Sequence, residues 1–406
     1  MTHKGQAWLV CIIAVLTAIV MGLNYYCVPA TMAALMDDFG IGEGAAGWLY
    51  TACLIISIVF ALPGGALIDR FGPKKIGLIG ICLTIIGAVI GACSTSYTIL
   101  LASRFVQGIG PALMTVCVPV LIAAWFPPEK RGFLSTCFSL WIGLGLLFAL
   151  NVANVLSVDA DPSTWRYTWW FCVGATAIMG ALYAIFIRMP DVRADEDELA
   201  VQESRKNSVL DGFKSLPTWL LALTFVAFAF GVDSFTSWAP YYAQDALGFD
   251  AATANNYSNL ITFGMIAGGI IMALVLTKVV SLKSRLICML VAVVLTVCTY
   301  PVMYTFGAGS IVPVLLLIGV VLQAFPAITF TIGPETAFSP ATVGVTMGII
   351  ALSQSLGIGG VISGYVIEAA GYHAMLYLMG GIGLIELAAA VSMFFVMRKR
   401  AANKAS

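Results

Sequence analysis

Charge is the scarcest commodity of this sequence: Lys, Arg, Asp and Glu make up 10% of its 406 residues, where a soluble domain carries about 25%. Twenty bases balance twenty acids, so no electrostatic footprint points to a nucleic-acid partner. Histidine is nearly absent. His3 and His373 lie far apart and no Cys/His spacing suits a metal, so neither a metal nor a cofactor is expected. Cys11, Cys27, Cys53, Cys82, Cys117, Cys137, Cys172, Cys288 and Cys298 sit inside apolar runs and only Cys93 nears an end, which argues for small core residues rather than a disulfide framework. No nucleophile–base pair or phosphate-cradling loop appears, so an enzyme is not expected.

Apolar residues, by contrast, supply 60% of the chain. A helix needs about 20 of them to cross a bilayer core. The chain holds twelve such runs, at 8–30, 44–66, 76–94, 98–124, 132–157, 167–188, 217–243, 254–277, 285–306, 310–333, 342–368 and 373–397. They are continuous rather than alternating and far exceed a barrel strand of about 10 residues, so the fold class is all-α integral membrane. The first, Ala7 to Ala30, is too long for a signal-peptide core of about 7–15 residues and reads as a retained helix.

The bases set the orientation. With both termini cytoplasmic, eighteen of the twenty Lys and Arg fall on the inner side, leaving only Arg166 outside and Arg104 within a span. The basic turns include Lys130-Arg131 after helix 4 and Lys278, Lys283 and Arg285 between helices 8 and 9. One long polar stretch, opening on the acidic run Asp191 to Glu198, divides the spans in two. The expected organisation is an N-terminal six-helix bundle over 1–188, a cytoplasmic linker over 189–216 and a C-terminal six-helix bundle over 217–406. The halves echo each other: Gly64-Gly65 recurs as Gly268-Gly269, and Pro128-Glu129 as Pro334-Glu335, at offsets of 204 and 206.

Between helices 2 and 3 stands Gly65-Ala66-Leu67-Ile68-Asp69-Arg70-Phe71-Gly72-Pro73-Lys74-Lys75. Its pattern Gly-x-Leu-x-Asp-Arg-x-Gly-x-Lys resembles the corresponding loop of the major facilitator superfamily of secondary transporters, and the resemblance extends over essentially the whole chain. It implies two six-helix bundles related by a pseudo-two-fold axis, rocking around a midplane site. It also implies a conformational latch in which Asp69 and Arg70 pair across the domain interface, with Gly65 and Gly72 shaping the turn and Lys74 and Lys75 as its basic tail. Plain topological anchoring by positive charge is the simpler reading. The matching loop, Thr277 to Arg285, has lost the acid and both glycines. Glu335, where helix 10 ends, is expected to join the charges of that loop.

Arg104 lies in Arg104-Phe105-Val106-Gln107-Gly108, similar to the superfamily's helix-4 pattern Arg-x-x-Gln-Gly. A guanidinium in a span is costly unless paired or facing water, so it is expected to face a cavity; the resemblance implies a role in proton coupling or substrate charge. The structural reading is a hub bonding helix-1 carbonyls. Asp233 sits about 15 Å deep on helix 7. In this fold helices 1, 4, 7 and 10 line the cavity, so Asp233 could meet Arg104 and exchange a proton as conformation changes, or form a fixed ion pair. Asn24, Tyr25, Tyr26, Gln107, Trp141, Trp238, Tyr241, Gln323 and Gln354 complete the candidate substrate pocket. Interhelical hydrogen bonding, or for Tyr241 the interfacial aromatic belt, is the alternative.

Helix 5 lacks the Gly-x-x-x-Gly-Pro signature of drug/proton antiporters, and the sugar-porter signature after helix 6 is missing. Trp238-Ala239-Pro240-Tyr241-Tyr242 loosely resembles carriers of small organic and inorganic anions. On one cavity arginine, Arg104, against one aspartate, Asp233, the expectation is a monomeric, proton-coupled transporter of a small anionic solute in a plasma membrane, the prokaryotic inner membrane by preference. A proton-driven exporter of amphipathic compounds and a transporter-like sensor without net flux are the alternatives.

Overall fold

The computed structural model describes residues 3–127, 134, 138, 140–156, 161–189, 213–279, 281–339 and 342–405. Pro128-Glu129, Lys130, Arg131 and most of the expected linker lie outside them. Among the described residues regular structure is helical: α1 (His3–Ala30), α2 (Met32–Phe39), α3 (Glu43–Phe71), α4 (Pro73–Ala92), α5 (Tyr97–Gln107), α6 (Ile109–Trp125), α7 (Trp141–Leu156), α8 (Trp165–Phe186), α9 (Leu216–Asp245), α10 (Ala251–Lys278), α11 (Leu282–Thr299), α12 (Ile311–Thr336), α13 (Val343–Ser355) and α14 (Gly359–Ala405). Ten apolar stretches are long enough to cross a bilayer, and Trp141–Leu156 is a shorter one. The last stretch, Val345–Ala402, carries two expected spans that part at Gly371, whose φ of 71° requires glycine. The twelve-span reading is thereby recovered. Large apolar side chains such as Ile12, Ile178, Leu384 and Phe395 are exposed, as a lipid-facing surface requires.

Two expected spans are broken. Helix 4 divides at Gly108 into α5 and α6. Pro111, three residues on, has no N–H for the Gln107 carbonyl, which instead accepts from the Thr84 hydroxyl at 3.2 Å. Helix 11, expected as one run over 342–368, stops at Ser355 and restarts at Gly359. A Cβ on Gly359 would strike the Phe230 carbonyl and the Ser234 nitrogen, so only glycine lets this chain pass the α9 backbone.

The chain gathers into two compact units. One holds the described residues of Met1–Asp191, Thr236–Thr262 and Gly360–Ala369, the other those of Val192–Phe235, Phe263–Gly359 and Ala370–Ser406. In the first, Val10, Ala14 and Met21 of α1 pack with Ile81, Leu113, Cys117 and Tyr183. Gly22 and Gly145 let α1 and α7 touch backbone to backbone, since a Cβ on Gly22 would lie 2.6 Å from the Trp141 carbonyl. In the second, buried Glu386 accepts from the Tyr300 hydroxyl at 2.5 Å, a bond between α14 and the end of α11.

Candidate functional site

Three groups of polar residues stand out. The first surrounds Arg104, which is fully buried. Pro29 has no N–H, which leaves the Tyr25 carbonyl of α1 without its helical donor. Arg104 Nη2 donates to that carbonyl at 3.1 Å, Nη1 to the Asn24 carbonyl at 3.0 Å and to Gln107 Oε1 at 2.5 Å, and Nε to the Leu49 carbonyl at 2.9 Å. The network continues from Gln107 Nε2 to Asn24 Oδ1 (2.9 Å) and from Asn24 Nδ2 to the Thr176 hydroxyl (2.8 Å). Trp169 lies under the guanidinium, 5.5 Å from its ring centre. Arg104, Gln107 and Asn24 therefore tie α1, α3, α5 and α8 together. The expectation that Arg104 faces a cavity does not hold in this conformation: the side chain is fully buried, and backbone carbonyls with Gln107 accept its N–H groups.

The second group joins helix ends on the side away from the basic turns, all within the first unit. α3 begins after Gly42, which has no side chain to cap it. The cap comes from far along the chain: Gly44 N–H donates to Glu368 Oε2 at 2.7 Å. Beside it Tyr241 O–H donates to Glu43 Oε1 (3.1 Å), Trp238 Nε1 to the Gly360 carbonyl (2.8 Å), and Val361 N–H to the Thr51 hydroxyl (3.1 Å). Gly47 and Gly364 allow the contact, since a Cβ on either would meet backbone of the opposing segment. The result is a seal between α3 and the ends of α9 and α14. Trp238 and Tyr241 thus brace helix ends rather than standing in an open pocket. Glu43, Thr51 and Glu368 were not among the sequence candidates, although the Gly42-Glu43-Gly44 start of a span was a visible signal. Glu368→Gln should weaken the cap by about 1 kcal/mol, so hydrogen exchange at Gly44 and its neighbours should speed up roughly fivefold.

The third group belongs to the second unit. The Asp233 carboxylate lies against the break in helix 11, where a Cβ on Gly357 would come within 2.7 Å of Oδ2. Gln354 is the penultimate residue of the segment before the break and Gln323 lies on α12, both half-buried. Tyr25, Tyr26 and Trp141 belong to the first unit, where Tyr25 packs edge-on against Tyr26 and Tyr50 at 5.1 and 5.0 Å.

At the basic turns Arg285 pairs with Glu335, as expected, and the Arg285 Nε donates to the Val279 carbonyl at 3.3 Å. Arg400 donates to the Ala337 and Phe338 carbonyls just past α12. Gly72 joins α3 to α4 with φ 82°. Arg70 is exposed and Lys74 and Lys75 open α4, where a helix dipole disfavours cations, so their placement answers to something other than helix stability. The Asp69 side chain lies outside the described residues, while Gly65 has open space around it.

The family model described as Major Facilitator Superfamily matches residues 14–359. The chain belongs to this superfamily. Its fold is that of solved members: a D-xylose-proton symporter superimposes with TM-score 0.74 at 17% identity, covering 95% of this chain and 97% of the other. A bacterial homolog of the human lysosomal transporter Spinster, inward-facing and occupied, does so with TM-score 0.73 at 14% identity, covering 96% of each. Among curated relatives, Plastidic glucose transporter 4 of Arabidopsis thaliana is 31% identical over 175 residues, 43% of this chain and 31% of that protein. The Galactose-proton symporter of Escherichia coli K12 is 24% identical over 190 residues, 47% of this chain and 40% of the other. The chain thus spans about a third to two fifths of the length of the curated relatives it matches. These relatives are named as transporters, not enzymes, and the D-xylose, glucose and galactose carriers among them are named for sugars, which turns away from the expected anion.

Proposed function

We propose that the chain is a secondary transporter that moves a small neutral polyhydroxylated solute by alternating access, driven by protons. The observation that carries this reading is the Arg104 network. The anion expectation needed a cavity guanidinium, and here that guanidinium is already held by three backbone carbonyls and Gln107. The sugar carriers among its relatives support the same solute class. The seal supports alternating access, because such a carrier must close and reopen one end with contacts that are individually modest. Asp233 is the coupling group: a carboxylate beside a broken helix sits among backbone groups whose arrangement can change, and its proton can follow that change. The cell inner membrane, cytoplasmic termini, the monomeric state, the bundles over 1–188 and 217–406 joined by the linker, and the latch at Gly65, Asp69, Arg70, Gly72, Lys74, Lys75 and Glu335 form part of this reading.

The test is a matched pair of assays on protein in liposomes, using the D-xylose or D-galactose that best stabilises it against heat. Asp233→Asn should abolish accumulation driven by an inward proton gradient while leaving solute exchange near the wild-type rate. Full accumulation in that variant would remove Asp233 from the coupling. Stabilisation by organic anions but by neither sugar would reverse the solute class.

A further inference from the structure

Among the described Lys, Arg, Asp and Glu residues, Arg104 and Glu386 are the fully buried ones. Their surroundings differ. Arg104 gives its N–H groups to three carbonyls and Gln107, so its charge is met. Glu386 has one donor for two oxygens: the Tyr300 hydroxyl reaches Oε2 at 2.5 Å, and Oε1 has no hydrogen-bond partner. No ion pair among the described residues includes it. On α14 it stands near the midpoint between Gly371 and Arg398, with roughly 18 Å of helix to the nearer end. The buried residues above and below it, Met379, Ala390 and Met393, are apolar. The rest of the contact lies within the second unit. A Cβ on Gly383 would meet Val297 and the Tyr300 ring, so α14 lies close against the end of α11. Tyr300 also rests on α9, where a Cβ on Gly231 would stand 2.8 Å from its hydroxyl. Tyr300 is thus the titratable group that faces Glu386, while Asp233, two residues beyond Gly231, lies against Gly357 instead.

An ionised carboxylate with a single donor in a dry interior costs far more than a neutral carboxyl in the same place. We propose that Glu386 is a second proton-binding site, separate from Asp233, and that the neutral acid, bonded to Tyr300, clasps α14 to the end of α11. Losing the proton leaves an anion that one hydroxyl cannot satisfy. The clasp therefore holds while the proton is bound and weakens as pH rises and the proton leaves. The site itself stands on burial and hydrogen bonding alone. Its part in transport rests on the alternating-access reading: a bundle whose helices have come apart no longer rocks as one body, so solute exchange falls in alkali.

Infrared spectra of the full-length protein in nanodiscs test the site with no solute present. At neutral pH the wild type should show the C=O band of a protonated carboxylic acid that Glu386→Gln lacks and that fades in strong alkali. Tyr300→Phe should keep the band but move it to higher frequency, because the hydrogen bond to the carboxyl is gone. That variant keeps the test decisive if Glu386→Gln fails to fold. No such band at neutral pH, or a band unchanged in either variant, would overturn the proposal. Exchange of labelled D-xylose or D-galactose, at equal pH on both sides of the liposome, then tests the clasp. It should fall about tenfold from neutral to strongly alkaline medium in the wild type and less than about twofold in Glu386→Gln. An equal fall in both would overturn the part in transport and leave the proton site. Gradient-driven accumulation in Asp233→Asn is a separate measurement, so failure of that coupling assignment leaves the Glu386 band in place.

Discussion

Arg104→Lys should lower the stability of the protein by about 3–5 kcal/mol, read as a fall in thermal unfolding temperature in detergent. A lysine carries three donors on a point charge, while the native contacts use a planar fork reaching three carbonyls and Gln107 in different directions. At least one of the contacts to the Leu49, Asn24 and Tyr25 carbonyls is then lost, most costly at Tyr25, whose helical donor Pro29 has removed, and the Gln107–Asn24–Thr176 chain loses its anchor. Helices α1, α3, α5 and α8 should loosen together, so the loss should exceed that of an ordinary surface charge. A transport-only role for Arg104 predicts the opposite pattern: an unchanged unfolding temperature and a lost proton dependence. That result would end the account of Arg104 as a hub.

The second large effect belongs to the seal. A Cβ on Gly47 would stand 2.8 Å from both the Gly360 carbonyl and the Val361 Cα, which are backbone atoms and cannot rotate away. Gly47→Val should therefore force α3 and the start of α14 apart and populate the form in which this seal is open, breaking the Val361–Thr51 and Gly44–Glu368 bonds with it. Spin labels on α3 and α14 near the seal should report a distance increase of several ångströms relative to wild type, with slowed solute exchange because the sealed half of the cycle is disfavoured. An unchanged distance distribution would mean that this contact does not close the pathway.

Much of this architecture could be read from the chain because a bilayer imposes its length on each helix. The apolar runs and the asymmetric bases lead to twelve spans, and the Gly65–Lys75 turn to the superfamily. The breaks at Gly108 and after Ser355 were not legible, since hydropathy does not register a helix that stops and restarts within one apolar run. The role of Arg104 stood between two readings, and the clue lay in Pro29, four residues beyond Tyr25: a proline there frees one of the three carbonyls that the guanidinium reaches. The seal was hidden for a different reason. Glu368 and Gly44 are 324 residues apart, and each alone looks like an ordinary polar helix end. Only the folded chain shows that one caps the other.

Coupled accumulation is the central claim, and one measurement addresses it most directly. Wild-type protein in liposomes would be given labelled D-xylose or D-galactose with and without an inwardly directed proton gradient, and internal solute followed over time. The account predicts uptake above the external concentration only with the gradient, collapsing to equilibration when an uncoupler is added. Equilibration at the same level with and without the gradient would contradict proton coupling. Concentrative uptake of an organic anion in place of either sugar would contradict the solute assigned here.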